Sequence, residues 1–350
     1  MNNIWIVALE PIDQRYTKQW YDNIPELLTV QGNYTVSTID GLSTVHNKTT
    51  KGAFLDFAAT NTWKAEQVKV IAHYFENDCI KPGDKFLVTD AWHFGIIAIR
   101  YMSELLGIPV EIHSIWHAGA YDPTDILGMK MSKPWPWSFE QSVFHASDYN
   151  YFATNFHRDM FLNNLQLEGL KAIRSGQPHD QVIRELSSYN TTMKDNMIVW
   201  PHRYNVDKQP DIMEDLQNYM YYYSFIVTQN LNLTKSNFYH MMARSKIVFS
   251  CALHENLGIS VMEATLLNNI PVVPDRASYK EMYLPEFKYP SEWTESFDNY
   301  VKNKERLTYF INERMFNYNE YSSKLEEQKD ILSIRYMTAR IMINNILRRN

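Results

Sequence analysis

Two cysteines, Cys79 and Cys251, are all that the 350 residues contain, and they stand far apart. They give no disulfide framework, so a reducing compartment and a cytoplasmic location are expected. No apolar stretch approaches the roughly 20 residues needed to span a bilayer. The first ten residues lack the basic start and long apolar run of a signal peptide and read as a first strand. A soluble or at most peripheral protein is expected. Positive charge is in deficit: 34 Lys and Arg against 40 Asp and Glu leave a formal charge of -6. That argues against polyanion binding over the whole surface and leaves room for a local basic groove. Also missing are an Asp-x-Asp motif, paired cysteines at zinc spacing, a Gly-rich phosphate loop ending in Lys-Ser or Lys-Thr, and Gly-x-Ser-x-Gly. Acyl transfer, hydride transfer and nucleotide hydrolysis therefore have no visible equipment, and no metal is expected.

The chain is too long for one ordinary core and suits two domains of roughly 150 to 170 residues each. An apolar content of 45% with 21% charge is that of a globular protein. Residues 86–90 form an apolar run closed by Asp90, and an amphipathic stretch over 95–106 follows, punctuated by Gly107 and Pro109. Residues 110–117 and 149–154 read as further strands. Strands alternating with helices predict a parallel, doubly wound sheet. Residues 168–195 are polar, mixed in charge and free of strand-like runs, which places a boundary there. A second series at 197–200, 225–227, 247–249 and 271–273 predicts a second Rossmann-like domain. In the final stretch Ile331, Ile334, Met337, Ile341 and Leu347 recur at helical spacing with Arg335, Arg340, Arg348 and Arg349 between them. The expected α/β organisation is a first domain over 1–170, a second over 171–329 and a terminal helix over 330–350.

Residues 250–265 set Glu255 and Glu263 eight positions apart. The run 247–249 reads as a buried parallel strand, a polar turn follows, and 259–267 reads as the helix that takes over. Free amides near Leu257, Gly258 and Ile259 then face outward at the strand's carboxyl end. Open α/β sheets bind ligands there, and a helix dipole favours phosphate. A diphosphate fits between the two glutamates. Upstream, residues 199–208 end another strand with Arg203 and place Lys208 five residues later. Two cations at a strand end suit a departing diphosphate, although alone they are ordinary surface chemistry.

Together with Asn269-Ile270-Pro271-Val272-Val273-Pro274, these segments resemble the signature of glycosyltransferase family four: a Glu, seven residues, a second Glu and Ala, then a Gly-x-Pro-Val-Val strand. Both glutamates, Gly258 and Pro271-Val272-Val273 are kept. Asn256 and Asn269 stand where Gly is usual, and His202 replaces a Gly ahead of Arg203. The resemblance implies the GT-B fold, with two Rossmann-like domains facing each other across a cleft and the last helix returning to the first. It implies a retaining, metal-independent transfer from a nucleotide-diphosphate sugar, expected to be UDP-linked, with no further cofactor. Arg203 and Lys208 would clamp the phosphates, Glu255 would orient sugar hydroxyls and Glu263 the ribose, with Asn256, Leu257, Gly258 and Ile259 lining the donor. His117, about 140 residues before Glu255, would face the transferred sugar, although a histidine after a strand is more often structural.

The acceptor side is less defined. Asp90, beside Trp92 and His93, would contact an acceptor or cap a helix. Arg15 lies in a turn over 10–16 that has no glycine. Lys130, Lys133 and Trp135 mix cations with rings in a Pro-stiffened loop, a set that stacks on bases while lysines meet phosphate; packing explains such tryptophans equally well. Residues 46–52 form a second basic loop. The Asn- and Tyr-rich chain and its first loop look similar to bacteriophage-encoded transferases, which implies an acceptor hydroxyl on hydroxymethylated cytosine of double-stranded DNA in a host cytoplasm. Lys48, Lys51, Lys130, Lys133 and the terminal arginines would then gather along the cleft. Alternatives are a surface-polysaccharide or small-glycoside acceptor, and a non-catalytic nucleotide-sugar binding protein. Oligomeric state is left open.

Overall fold

The computed structural model describes residues 2–12, 15–31, 34–42, 55–131, 133–189, 193–231 and 233–348. The basic loop at 46–52, with Lys48 and Lys51, and Arg349 lie outside them. The chain divides into two units, residues 1–179 with 338–350, and residues 180–337.

Unit 1 alternates strands and helices: β1 (Asn3–Val7), α1 (Tyr16–Gln31), β2 (Thr35–Ile39), α2 (Phe57–Glu76), β3 (Lys85–Val88), α3 (Gly95–Leu105), β4 (Glu111–Ile115), α4 (Ile126–Lys130), α5 (Trp135–Ala146), β5 (Tyr149–Phe152), α6 (Asn155–Leu165) and β6 (Ala172–Arg174). Unit 2 holds α7 (Asp180–Leu186), β7 (Asp195–Trp200), α8 (Pro210–Tyr219), β8 (Ser224–Val227), α9 (Lys235–Arg244), β9 (Ser245–Phe249), α10 (Ile259–Leu266), β10 (Ile270–Pro274), α11 (Tyr279–Met282), β11 (Lys288–Tyr289), α12 (Phe297–Phe316) and α13 (Ser322–Arg335). The last helix, α14 (Arg340–Leu347), belongs to unit 1.

Every strand pair in both sheets is parallel. Helices cover both faces of such a sheet, so its central strands read as continuous apolar runs. Phe86, Leu87 and Val88 in β3, and Ile247, Val248 and Phe249 in β9, are fully buried accordingly. The strand order is β2-β1-β3-β4-β5-β6 in unit 1 and β11-β10-β9-β7-β8 in unit 2. Both orders reverse direction beside their first strand, between β1 and β3 and between β7 and β9. At such a switch point the loops leaving two neighbouring strands part to opposite faces, and the crevice outside their carboxyl ends takes a ligand.

Three sequence-based expectations are corrected. The polar stretch 168–195 contains β6, which pairs with β5 through Tyr151 and Ile173, so unit 1 runs to residue 179 rather than 170. Three residues are too short a run to register as strand periodicity. The terminal stretch is not one helix from 330: α13 stays in unit 2, with Leu325 in that unit's core and Leu332 buried, and the chain re-enters unit 1 only at Thr338. Ile334, placed on the apolar stripe, is 63% exposed. From there Met342, Ile343, Ile346 and Leu347 of α14 pack with Ile4, Ile6, Trp20 and Leu28.

Arg348, expected among DNA-facing cations, instead bonds Glu111 at the amino edge of the unit 1 sheet, where Lys85 and His113 also meet that carboxylate at 3.1 and 2.8 Å. These groups line or adjoin a cavity of about 640 Å³ walled by Tyr34 and Tyr149, at the end opposite the strand-end loops. Burial alone would raise the Glu111 carboxyl, but its bonds and charge partners hold it down to about 2. A depressed carboxyl stabilises the fold fully above its unfolded pKa near 4.5 and loses that contribution as pH falls toward 2. Glu111→Gln is therefore expected to lose about 2–3 kcal/mol at pH 7. Its melting temperature should converge on that of the parent chain as the pH of the scan is lowered from 5 toward 2 (roughly the window set by the linkage relation).

Candidate functional site

At the β7/β9 switch point, two turns are stitched into one surface. The turn after β7 carries Arg203, Asp207 and Lys208, and the turn after β9 runs from Ser250 to Gly258. A backbone bond from Leu253 N to the Asp207 carbonyl, 2.8 Å long, joins them. Lys208 is buried, and its ammonium meets three oxygens: the His254 carbonyl at 2.5 Å, Glu255 Oε2 at 3.1 Å and Asp207 Oδ2 at 3.0 Å. Burial would lower its pKa, but the charges of Glu255 and Asp207 raise it.

Glu255 is the centre of this arrangement. Its Oε1 accepts the Gly258 amide at 3.0 Å while Oε2 takes Lys208. Burial alone would push the carboxyl up; Lys208, with smaller effects from His202 and His254, holds it at about 2. Gly258 precedes α10 with φ of +74°, a left-handed conformation that glycine adopts without strain. A Cβ there would lie 2.9 Å from Tyr279 Cε1 and 3.2 Å from Glu255 Cγ. Gly258→Ala is therefore expected to cost about 1–3 kcal/mol in chemical denaturation, with loss of whatever ligand binding the turn supports. Leu257 is buried, and Asn256 and Ile259 are half-buried on the same turn and first helical residue. Arg203 is exposed beside them.

Glu263, one helix turn and more into α10, is 1% exposed, and its Oε1 accepts Lys235 Nζ at 2.7 Å and Tyr239 OH at 2.8 Å. The structure thus gives the second glutamate two protein partners from α9 that spacing did not suggest. Asn269 is fully buried, and its amide nitrogen donates to the Met242 and Ala264 carbonyls at 2.7 and 2.9 Å. The left-handed residue after α10 is Asn268, at φ of +64°, not Asn269.

In unit 1, the loops after β3 and β4 bring Asp90 and His117 together. Lys64, a buried lysine on α2, bonds Asp90 Oδ2 at 2.7 Å and the Trp92 carbonyl at 2.6 Å, and the Trp92 amide donates to Asp90 Oδ1 at 3.1 Å. Burial would raise the Asp90 carboxyl, but Lys64 and His117 lower it. His117 Nε2 lies 2.7 Å from the Thr89 carbonyl, so that nitrogen donates and Nδ1 accepts from Tyr16 OH at 3.3 Å. Burial depresses its pKa and Asp90 opposes the change. Both ring nitrogens therefore have protein partners. Arg15 starts the turn into α1 and is half-buried.

Lys130 and Lys133 are exposed, as is Trp135 at 57%. Lys133 sits 3.9 Å over the Trp137 ring, and Trp137 donates its indole N–H to the Ala120 carbonyl at 3.0 Å. Trp137 therefore packs, while Trp135 presents its ring outward. Glu140 on α5 was missed by sequence reasoning. Its Oε1 accepts Trp92 Nε1 at 2.8 Å and the Ala120 amide at 2.5 Å, tying the loops after β3 and β4 together, and burial lifts its carboxyl to about 7. An acidic residue inside an apolar helix face is the signal that could have flagged it.

His113 and His117 stand four apart, but on and just past a strand; His113 is occupied by Glu111 and Tyr151. Among the described residues no cluster of three His, Cys, Asp or Glu side chains could hold a metal ion, and no helix is long and apolar enough to cross a membrane.

No protein-family model matches the chain. A segment of 161 residues is 26% identical to the tRNA-queuosine alpha-mannosyltransferase of Drosophila melanogaster, covering 36% of this chain and 42% of that protein. The match thus spans well under half the length of that curated relative. Among solved structures, sucrose-phosphate synthase from Thermosynechococcus elongatus superposes with a TM-score of 0.65 over 99% of this chain and 97% of its own, at 8% identity. The catalytic domain of starch synthase IV from Arabidopsis thaliana, bound to ADP and acarbose, gives 0.60 over 100% of both chains at 9% identity. A UDP-forming trehalose-phosphate synthase from Burkholderia xenovorans gives 0.59 over 100% and 99% at 12% identity. At such identities the likeness speaks for architecture, and the two parallel-sheet units of this chain have the GT-B glycosyltransferase fold.

Proposed function

We propose that the chain is a retaining glycosyltransferase that moves a sugar from a nucleotide-diphosphate sugar, UDP-linked in the first instance, to an acceptor hydroxyl. The observation that carries this reading is the joined turn at the β7/β9 switch point, where Lys208, Glu255 and the amino end of α10 converge. Amides at a helix start and the Arg203 guanidinium suit a diphosphate. Glu255, ionised and fixed by two bonds, accepts hydrogen bonds from sugar hydroxyls. Lys208 adds positive charge while its direct bonds hold Glu255 in place. Departure of the diphosphate is the costly step, so positive charge and donors already in place stabilise what develops there. Glu263, through its remaining acceptor capacity, serves the ribose. On unit 1, Asp90, His117, Arg15, Lys130, Lys133 and Trp135 are the acceptor-side candidates.

For the acceptor we propose the 5-hydroxymethyl group of modified cytosine in double-stranded DNA, in keeping with a chain similar to bacteriophage-encoded transferases. The Drosophila relative, named for queuosine in tRNA, supports an acceptor within a nucleic acid. The test is the mass of nucleosides released from hydroxymethylcytosine-containing DNA after incubation with the protein and a panel of UDP-sugars, with Glu255→Ala as control. A pentose or hexose gain lost in the control is expected. No gain, with UDP still bound, removes the DNA acceptor. The acidic net charge and the saccharide-building neighbours favour a second reading, a saccharide acceptor; its transfer would be insensitive to salt, whereas a DNA reaction weakens steeply with it.

A further inference from the structure

His202 is a buried group of unit 2 that its own surroundings leave unexplained. It stands two residues past the end of β7, at the switch point, and is 6% exposed. Its ring leans against Trp200 with centroids 5.3 Å apart. Nε2 is buried and has no hydrogen-bond partner among the described residues. Buried polar atoms are nearly always paired, so an orphan at a strand end calls for a reason.

The neighbouring polar groups narrow that reason. Lys208 has three protons matched to three oxygens, and both oxygens of Glu255 are taken, by Gly258 and by Lys208. No bond joins either group to His202 Nε2. A histidine in a core is usually satisfied by polar neighbours, as His113 is in unit 1 by Glu111 and Tyr151; His202 Nε2 has none among the described residues. Burial is the main cause that lowers its pKa to about 3, with Lys208 and Arg203 adding to the effect and Glu255 opposing it. The imidazole is neutral and carries one N–H.

We propose that His202 is a donor-site residue whose Nε2–H donates a hydrogen bond to an oxygen of the nucleotide sugar's diphosphate. This rests on the reading of unit 2 as a nucleotide-sugar site. Phosphate oxygens only accept, which fixes the tautomer with the proton on Nε2. A neutral ring adds direction without charge, and its bond strengthens as negative charge collects on the leaving group.

The test uses the full chain with isotope-labelled histidine, titrated with UDP and followed by the long-range ¹H–¹⁵N signals of the imidazoles, with His202 assigned from the spectrum of His202→Gln. UDP is expected to shift the His202 signals to the Nε2–H pattern. His202→Ala should weaken UDP binding by roughly tenfold, the worth of one hydrogen bond to a charged acceptor, and His202→Gln, whose amide can donate, should recover part of it. Unchanged His202 signals on saturation with UDP, with an unchanged Kd for His202→Ala, would reduce the residue to packing and overturn the proposal while leaving the donor site standing. Failure of the parent chain to bind UDP, ADP or GDP would remove the donor-site reading and the proposal with it.

Discussion

Glu255→Gln is expected to lower kcat/KM for sugar transfer by about 10²–10³-fold, the range seen when one group that faces a developing charge is removed. The amide is the same size as the carboxyl, so the turn keeps its packing. Its chemistry does not fit: Oε1 and Oε2 now accept from the Gly258 amide and Lys208, and a carboxamide must turn an NH₂ toward one of these donors. It also loses the charge that orients hydroxyls. Burial raises the Glu255 carboxyl, but Lys208, His202 and His254 together hold it at about 2, so the group is ionised throughout neutral pH. On the proposed function, the pH profile of transfer by the parent chain should accordingly show no step from Glu255 between pH 5 and 9 (roughly the range over which such assays are run, well above a carboxyl this depressed). The measurement is the rate of nucleotide release with and without acceptor. A variant that retains a third or more of the parent rate would dismiss Glu255 as part of the machinery.

Lys208→Ala should produce the largest loss of stability, about 3–5 kcal/mol in chemical denaturation, as expected when one partner of a buried ion pair is removed. It strands two carboxylates, Asp207 and Glu255, and the His254 carbonyl at a site where water is largely excluded. In the double variant Lys208→Ala with Glu255→Gln part of the loss should return, since one of the stranded charges is gone. The sign of the pH dependence follows from Glu255. Its folded pKa lies below the unfolded value of 4.5, so its stabilisation is present above 4.5 and fades as pH falls toward 2. The gap between the parent and Lys208→Ala should therefore narrow over that acid range. Hydrogen exchange of β7 and β9 amides would report the loss in unit 2 specifically. A deficit below about 1 kcal/mol, the ordinary worth of an exposed pair, would mean that water reaches these carboxylates.

Much of the fold was legible in local pattern. Residues 86–90, 197–200, 247–249 and 271–273 read as strands because parallel strands buried on both faces must be apolar along their whole length. The start of α10 was legible from the change of period after the polar turn. What escaped were short or half-buried strands: β2, with one exposed and three half-buried residues, β6 with three residues and β11 with two. Such segments are strands only because a neighbour offers them a ladder.

The candidate site divides along the same line. The resemblance to glycosyltransferase family four pointed to Glu255, Glu263, Arg203 and Lys208, and its motifs were legible because a turn after a strand and the start of a helix are local events. Their partners were not local. Lys64 reaches Asp90 across 26 residues, Lys235 reaches Glu263 across 28 and Lys208 reaches Glu255 across 47. The sequence by itself determined the alternation of buried strands and helices and the chemical types at the strand ends, because burial and helix capping act within a few residues. Only the tertiary structure decided that β7 lies beside β9, that Lys208 is spent on Glu255 and Asp207, and that Arg348 turns to Glu111. Those outcomes depend on which strands pair and how deeply each charge is buried, quantities that no local window contains.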